Sequence, residues 1–270
     1  MIYLKDEEFK AITTFIKTNY GVNLTNKRPL IEGRLSNHVA NLGFDNYIDY
    51  FEYAKKDKVN DEIAILINKL TTNHTYFFRE NEHFEFYKEF VLPWIDKSLN
   101  STDLRVWSAG CSSGQEPYTL AMITKNYLGS NIGSWESTIL ASDISNKALL
   151  TAKDGIYSRE ELSDVPHSWI KRHFKAYNDS QFIVSEELRK SVAFRNFNLL
   201  SPFNFKKPFQ AIFCRNVMIY FDMPTKNEII NKFYDVLIPG GYFFIGHSES
   251  LSSCNHKFNY IKPSVYQKSL

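Results

Sequence analysis

The sequence predicts an α/β protein in which an all-helical N-terminal domain precedes a parallel-dominated sheet with helices on both faces. Up to about residue 75, apolar residues recur at helical spacing and no strand alternation is present. After about residue 100, short apolar strands alternate with helical segments, which is typical of βαβ units. Between Trp169 and Asn198 short strand-like runs interrupt that rhythm and indicate a small antiparallel insertion. We therefore expect a helical domain over residues 1–75, a linker over 76–90 and a sheet domain over 91–270, with the insertion at about 172–197.

Apolar stripes define the helices of the N-terminal domain. A first stripe is followed by a break at 19–25, a second stripe ends at Gly43, and two further helices are expected near 47–51 and at Ile63–Leu70. The second helix carries four basic side chains against one acidic side chain, namely Lys27, Arg28, Arg34 and His38 against Glu32. These residues form either a solvated face or a basic docking surface for an acidic partner.

The second half of the chain contains short apolar runs typical of buried strands. Strands are expected at Arg105–Ala109, Thr138–Ser142, Gln210–Cys214, Gly241–Ile245 and Tyr260–Tyr266, and helices at Pro117–Tyr127 and Ser145–Lys153. Within the insertion, antiparallel strands are expected at Phe174–Tyr177, Gln181–Val184 and Val192–Asn196. Ligands of open parallel sheets bind outside the carboxyl ends of the strands. The residues that follow these strands are therefore the candidate site.

The composition is that of a folded protein without a strong electrostatic preference. Of the 270 residues, 43% are hydrophobic and 16% aromatic, which argues against disorder. A formal net charge of +2 is too small for a general nucleic-acid binder, and no apolar run suggests a membrane span. The acidic first residues, MIYLKDEEFK, lack the pattern of a secretory signal, and the three widely spaced cysteines indicate reduced thiols. We expect a cytoplasmic protein, and no metal site, because the seven histidines lack ligand spacing.

The most informative segment is LRVWSAGCSSGQEPYT, residues 104–119, in which a strand breaks into a glycine-containing turn and enters a helix. Gly110 and Gly114 bracket small residues, so a bound molecule can approach the backbone there. Glu116 follows at a position where a phosphate-binding helix needs bare N–H groups, and a carboxylate suits a cationic ligand better. A positively charged nucleoside such as S-adenosylmethionine fits this pattern. An ordinary strand-to-helix connection and a dinucleotide site remain open from this turn alone.

Asp143 closes the second predicted strand of the sheet domain. An acid at this place accepts hydrogen bonds from the hydroxyls of a ribose. The alternative is that Asp143 caps the helix that begins near Ser145, and the two roles are compatible.

Two further segments place polar side chains near the predicted ligand edge. TTNHTYFFRE, residues 71–80, offers Asn73, Thr75 and Arg79 at the junction of the two domains. The guanidinium of Arg79 either binds a carboxylate or forms a structural ion pair. In FCRNVMIYFD, residues 213–222, Arg215 and Asn216 follow a strand, and Tyr220 comes one helical turn later.

Together, these segments resemble the chemotaxis receptor methyltransferases called CheR. The resemblance rests on TTNHTYFFRE, RVWSAGCSSGQEPYTLA, ASDIS, NFNLL, FCRNVMIYFD and GGYFFIGHSES, in this order, and covers nearly the whole chain. It implies a Rossmann-like S-adenosylmethionine-dependent methyltransferase sheet, and methyl transfer to glutamates on cytoplasmic helices of chemoreceptors, with S-adenosylhomocysteine as product. The implied cofactor contacts are Asn73, Thr75, Arg79, Glu116, Asp143, Asn198, Leu199, Arg215, Asn216 and Val217. Arg79 and Tyr220 are implied nearest the reactive methyl and are the candidate catalytic residues.

The small insertion departs from the best-known pattern of this family. In some relatives it binds a peptide at the receptor's C-terminal tail by strand addition. Here Phe174–Asn198 is shorter, with Asn178–Ser180 in its turn, which resembles members that do not depend on the tail. We expect a monomer that binds receptor helices without the tail peptide, and neither nucleic acid nor membrane. Two alternatives stay open: a cofactor-binding regulatory module, and a methyltransferase of a nucleic acid or another carboxylate.

Overall fold

Four helices form the N-terminal domain of the computed structural model, which describes residues 2–57, 62–71, 74–98, 102–129 and 135–270. They are α1 (Asp6–Tyr20), α2 (Arg28–Asn41), α3 (Tyr47–Lys56) and α4 (Glu62–Leu70). Their apolar faces enclose one core, in which Ile12, Leu35, Tyr50 and Leu66 are fully buried. Burial of each aliphatic side chain in this set stabilises the fold by about 1.5–3 kcal/mol. The predicted all-helical domain is confirmed.

The remaining chain builds a seven-stranded sheet, a three-stranded sheet and the helices that cover them. The strands are β1 (Asp103–Ala109), β2 (Glu136–Asp143), β3 (Ile156–Ser158), β4 (Phe174–Ala176), β5 (Gln181–Val184), β6 (Val192–Asn196), β7 (Phe209–Cys214), β8 (Leu237–Ile245), β9 (Asn259–Lys262) and β10 (Val265–Gln267). The helices are α5 (Glu82–Phe86), α6 (Leu92–Ser98), α7 (Gln115–Leu128), α8 (Asn146–Asp154), α9 (His167–His173), α10 (Glu186–Arg189) and α11 (Met223–Val236).

The large sheet has the strand order β6-β2-β1-β7-β8-β10-β9. The first five strands in this order run parallel, and β10 pairs antiparallel with both β8 and β9. The parallel-dominated sheet is therefore confirmed, and the carboxyl ends of β1, β2 and β7 meet at one edge. The expected last strand, Tyr260–Tyr266, is instead the antiparallel pair β9 and β10, because residues 263–264 form a turn.

Both faces of this sheet are buried, since successive side chains of each strand point to opposite faces. Val106 and Phe213 belong to the core beneath α7, whereas Trp107 and Ile212 belong to the core beneath α11. Trp107 is fully buried, and its ring contacts the rings of Phe205 and Phe233 at centroid distances of 4.8 Å and 5.2 Å. These two cores hold the strand ends in place.

The prediction that Val192–Asn196 belongs to the antiparallel insertion is wrong. This segment is β6, which pairs parallel with β2 from Ile139 opposite Val192 to Asp143 opposite Asn196. The small sheet takes its third strand from β3 and has the order β3-β5-β4. The short pattern VAFRN fits an edge strand of either sheet, so the sequence alone did not distinguish the two.

The segment predicted as a linker, residues 76–90, forms part of the sheet domain. A turn at 77–81 leads into α5, which continues through a π-helical segment, Tyr87–Val91, into α6. Phe77, Phe84 and Tyr87 are fully buried in the core beneath α7. Burial of these aromatic side chains fixes the segment against the sheet domain, because the free energy gained by their burial exceeds the conformational entropy that a mobile linker would keep.

None of the helices in the described parts of the chain combines the length and apolar character that crossing a bilayer requires. The three cysteines, all within those parts, form no disulfide, in agreement with the predicted reduced thiols.

Candidate active site

A cavity of about 1070 Å³, including its open mouth, lies between the helical domain and the carboxyl ends of β1, β2 and β7. Helical-domain residues such as Tyr20, Ile67 and Asn68 form one part of its lining. Every predicted site residue that the structure describes lines the same cavity, namely Thr75, Arg79, Glu116, Asp143, Asn198, Leu199, Arg215, Asn216, Val217 and Tyr220. Asn73 lies outside the described residues.

The turn between β1 and α7 places backbone groups at the cavity wall. Gly110 has a φ of 83°, and a Cβ on it would clash with Val217, so both conformation and packing require glycine there. Gly114, with a φ of 97°, faces the protein instead, because its Cβ would lie 2.9 Å from the Tyr157 hydroxyl. The expectation that both glycines open the backbone to a ligand therefore holds only for Gly110, which lines the cavity.

The Asp143 carboxylate is held at the end of β2 by backbone donors. Ser112 N–H donates to its Oδ2 at 2.8 Å, and Ser145 N–H donates to its Oδ1 at 2.9 Å. Burial raises the pKa of Asp143, and these N–H groups oppose the shift. Ser145, whose Oγ accepts from Ala148 N–H, caps α8. Asn68 of the helical domain donates to that Oγ at 2.5 Å, so both domains support the position of Asp143.

A buried guanidinium lies at the end of β7. Arg215 donates through Nη1 to Glu116 Oε2 at 2.9 Å and through Nη2 to Glu80 Oε2 at 3.0 Å. It also donates to the Arg79 carbonyl oxygen, and its side chain is only 3% exposed. The other oxygen of Glu116 accepts from the Ser108 hydroxyl at 2.7 Å. Glu116 is thus already paired with a protein cation, and the sequence argument that its charge awaits a cationic ligand must be revised.

Glu80 was missed in the sequence, although it directly follows Arg79 in a quoted motif. Its Oε1 accepts from Asn216 Nδ2 at 3.2 Å, and its Oε2 also accepts from His247 N–H at 3.1 Å. Burial acts to raise the pKa of Glu80, but the Arg215 cation and these hydrogen bonds together hold the pKa below its ordinary value. Glu80 therefore joins β7, β8 and the turn at 77–81 through an ionised carboxylate.

Glu80, His83 and His247 bring possible metal-ligand atoms within 4.8 Å of one another. His83 is fully buried, and burial lowers its pKa to about 3, so its ring is neutral at physiological pH. Both oxygens of Glu80, however, already accept hydrogen bonds, and the Arg215 guanidinium lies beside Oε2. A second cation there would be repelled by Arg215, so the arrangement favours a supporting network over a metal site.

The two candidate catalytic residues, Arg79 and Tyr220, are held in the cavity wall by contacts with different parts of the protein. Arg79 donates through Nη1 to the His74 carbonyl oxygen at 2.5 Å, and its Nε lies 4.0 Å from Glu80 Oε1. Tyr220 ends the 3₁₀ turn Met218–Tyr220, and its carbonyl oxygen accepts from Asn23 N–H of the helical domain at 2.7 Å. The Tyr220 turn is thus tied to the N-terminal domain.

Asn198 and the basic side chains of α2 are engaged within the protein. Asn198 Nδ2 donates to the Asn19 carbonyl oxygen at 2.8 Å, so one of its donors serves the domain interface.

The basic side chains of α2 contact other parts of the helical domain. Arg28 pairs with Asp6 at 2.6 Å, and His38 Nε2 lies 2.6 Å from Glu62 Oε1. Arg34 Nη1 donates to the carbonyl oxygen of Thr71 at 3.2 Å. These contacts favour a structural role for much of the basic face of α2 over a freely presented docking surface.

A parallel-dominated sheet with a glycine turn after its first strand, an acid at the end of its second and a cavity over both is typical of α/β proteins that bind a nucleoside. The match to a family model identifies this one as an S-adenosylmethionine-dependent methyltransferase. The chain belongs to the CheR methyltransferase family. The family's S-adenosylmethionine-binding domain matches residues 73–267, and its all-alpha domain matches residues 7–71.

Named relatives match over nearly the full length of both chains. A chemotaxis protein methyltransferase of Borreliella burgdorferi is 41% identical, over 99% of this chain and 96% of the relative. A chemotaxis protein methyltransferase of Escherichia coli is 36% identical, over 98% and 92% of the two chains. A probable chemotaxis protein methyltransferase of Rhizobium etli is 35% identical, over 89% and 91%.

Proposed function

We propose that the protein methylates glutamate side chains of chemoreceptors, forming methyl esters that tune chemosensory adaptation. The observation that carries the proposal is the cavity between the domains, which is lined by the candidate cofactor contacts together with Arg79 and Tyr220. The names of the relatives, which act in chemotaxis as methyltransferases, support chemoreceptors as substrates. The ester product is our inference from the resemblance and from the chemistry of the acceptor.

The described residues fit S-adenosylmethionine. The Asp143 carboxylate accepts from the backbone N–H groups of Ser112, Ser145 and Ile144, and its two oxygens together offer about four acceptor positions, so it keeps capacity for a ribose hydroxyl. Apolar lining from Val217, Leu199 and Phe197 suits the flat adenine. Thr75 and Asn216 add polar groups at the same cavity. Glu116 would act indirectly. It holds the Arg215 side chain, and this contact fixes the end of β7, which forms part of the cavity wall.

Methyl transfer to a glutamate needs no general base from the protein. A glutamate carboxyl has an ordinary pKa of about 4.3, so it is already ionised at neutral pH. When bound, S-adenosylmethionine supplies the methyl group: the carboxylate oxygen forms the new C–O bond, and the electron pair of the broken C–S bond stays on sulfur. The protein must therefore orient the acceptor oxygen and exclude water from it.

Arg79 and Tyr220 are our candidates for this orienting role. The Arg79 guanidinium lines the cavity with about a quarter of its side chain exposed, so it is accessible to a carboxylate. The Tyr220 hydroxyl can donate one hydrogen bond to an acceptor oxygen. Strong charge neutralisation would weaken the nucleophile, so we assign both side chains to orientation.

We further propose that the protein acts as a cytoplasmic monomer and does not depend on a receptor tail peptide. The edge strands of the small sheet, β3 and β4, are only three residues long. Such edges offer few backbone groups for strand addition. Titration of a receptor tail peptide into the purified protein tests this directly, and micromolar binding would contradict it.

The decisive experiment incubates the protein with methyl-labelled S-adenosylmethionine and cytoplasmic receptor fragments. We expect the label to enter the fragments and to leave as methanol under base, because methyl esters are base-labile. Fragments whose helix glutamates are replaced by glutamine are the matched control and should remain unlabelled. Labelling that is stable to base would indicate that the accepting group is not a carboxylate. Labelling of small acids but not of receptor fragments would indicate another substrate. Binding of the cofactor without methyl transfer would indicate a regulatory module. Each of these three outcomes would refute the proposal.

A further inference from the structure

The turn that carries Arg215, Asn216 and Tyr220 depends on neighbouring segments for its position. Asn216 has a φ of 59°, in the left-handed region, which asparagine adopts more readily than most residues other than glycine. Within the turn, Tyr220 N–H donates to the Val217 carbonyl oxygen at a long 3.3 Å. A turn with such a long internal hydrogen bond keeps one conformation when the surrounding structure holds it.

The side chain of Glu249, which follows β8, provides that support. Glu249 Oε2 accepts from Asn216 N–H at 2.8 Å and from Gly246 N–H at 2.6 Å. Its Oε1 accepts from Ile219 N–H at 3.1 Å. One carboxylate therefore connects the beginning of the turn, the residue before Tyr220 and the end of β8.

The contact also requires Gly246. A Cβ at this glycine would clash with the Asn216 side-chain amide, so only glycine lets β8 approach the turn this closely. Burial raises the pKa of the Glu249 carboxyl, and the N–H groups of Gly246 and Asn216 oppose that shift because they stabilise its charged form.

The helical domain holds the opposite side of the same turn. Asn23 N–H donates to the Tyr220 carbonyl oxygen at 2.7 Å, and Val22 forms an isolated β-bridge with Phe221. Lys17 then pairs with Asp222 at 2.8 Å. The backbone of Tyr220 is thus fixed between the N-terminal domain and the residues held by Glu249.

We propose that Glu249 is a positioning residue for methyl transfer, whose carboxylate sets the Arg215–Tyr220 turn and thereby the Tyr220 side chain relative to the cavity. This inference rests on the proposed function, since that function assigns Tyr220 to the acceptor. Glu249 itself does not line the cavity.

The two oxygens of Glu249 suggest variants that separate its contacts. In Glu249→Gln, the single amide oxygen can still accept from Asn216 and Gly246, while the amide nitrogen would face Ile219 N–H, donor against donor. This variant should release the Tyr220 half of the turn selectively. Glu249→Ala removes the acceptors of both halves. Glu187→Gln is the matched control, because the Glu187 side chain is exposed and pairs with Lys125 at the surface, away from the turn.

Three measurements test the proposal: turnover on receptor fragments, calorimetric affinity for S-adenosylhomocysteine, and amide hydrogen exchange across residues 216–220. For Glu249→Gln we expect kcat to fall about tenfold, affinity to stay within about twofold, and exchange at Ile219 to accelerate. For Glu249→Ala we expect turnover and affinity both to fall. Glu187→Gln should match the parent protein in all three.

Parent-like kcat and exchange in Glu249→Gln would overturn the proposal. Equal losses of kcat and affinity in Glu249→Gln would also overturn it, because they indicate a general structural role. If the parent protein methylates no receptor glutamate, the proposed function fails. The exchange at Ile219 still decides in that case whether Glu249 holds the turn.

Discussion

Arg215 Nη1 donates to Glu116 Oε2 at 2.9 Å, and this pair joins the end of β7 to the first turn of α7. The same guanidinium contacts Glu80, so one buried cation serves two carboxylates. Glu116 therefore contributes to the cavity chiefly by fixing Arg215 and the strand ends around it. A site built this way holds its shape before any ligand arrives, which lowers the cost of binding.

Removal of this cation should destabilise the fold. Arg215→Ala leaves Glu80 and Glu116 without their buried partner, and such a loss costs about 3–5 kcal/mol. Urea unfolding should show this decrease in the free energy of unfolding. The control is Arg105→Ala, whose ion pair with Asp103 is partly exposed and should contribute less than about 1 kcal/mol. Similar effects of the two substitutions would contradict the central place given to Arg215.

The carboxylate of Asp143 should decide cofactor affinity. A hydrogen bond to a charged group contributes about 1.5–3 kcal/mol, so losing two of them in Asp143→Ala should weaken S-adenosylhomocysteine binding about 100-fold or more. Calorimetry measures this directly, with Asp154→Ala, an exposed acid at the end of α8, as control. Unchanged affinity in Asp143→Ala would remove Asp143 from the ribose site.

The hydroxyl of Tyr220 should affect turnover rather than cofactor binding. Tyr220→Phe removes one donor and keeps the ring that packs against the helical domain. We expect kcat to fall about tenfold while S-adenosylhomocysteine affinity stays within about twofold. Tyr177→Phe, at an exposed tyrosine beyond β4, is the control. Equal losses in turnover and affinity would show that Tyr220 acts on the cofactor.

The buried ring of His83 should make stability depend on pH. Burial lowers its pKa to about 3, whereas an unfolded histidine titrates near about 6.5. Between these values the unfolded chain binds the extra proton, so His83 makes the free energy of unfolding decrease as pH falls, by up to about 1.4 kcal/mol per pH unit. His83→Phe should flatten this decrease in urea unfolding measured from pH 6.5 downward. Parallel curves for the two proteins would contradict the assignment.

The sequence predicted most of the architecture because apolar spacing reports burial directly. The stripes of α1 and α2 and the short runs of β1, β2 and β7 were placed nearly correctly. Sheet membership was harder, because the side chains of β6 show the same alternation whether its partner is β2 or β5. Residues 76–90 were assigned to a linker, although burial of Phe77 and Tyr87 makes them part of the sheet domain.

The cavity lining followed from motifs, but the contacts that hold it together did not. Glu80 meets Arg215 and Asn216 across 135 and 136 positions of the chain, a separation on which local pattern carries no information. Glu249 stood in the quoted segment GGYFFIGHSES, yet nothing in its neighbours shows that its side chain turns back toward Asn216. Long-range hydrogen bonds of this kind require coordinates.

The most direct test of the account is a crystal structure of the protein grown with S-adenosylhomocysteine. We predict density for this product in the cavity between the domains, with its ribose hydroxyls on the Asp143 carboxylate and its sulfur in the space shared by Arg79 and Tyr220. A product bound elsewhere, or a cavity that stays empty at saturating concentration, would contradict the account.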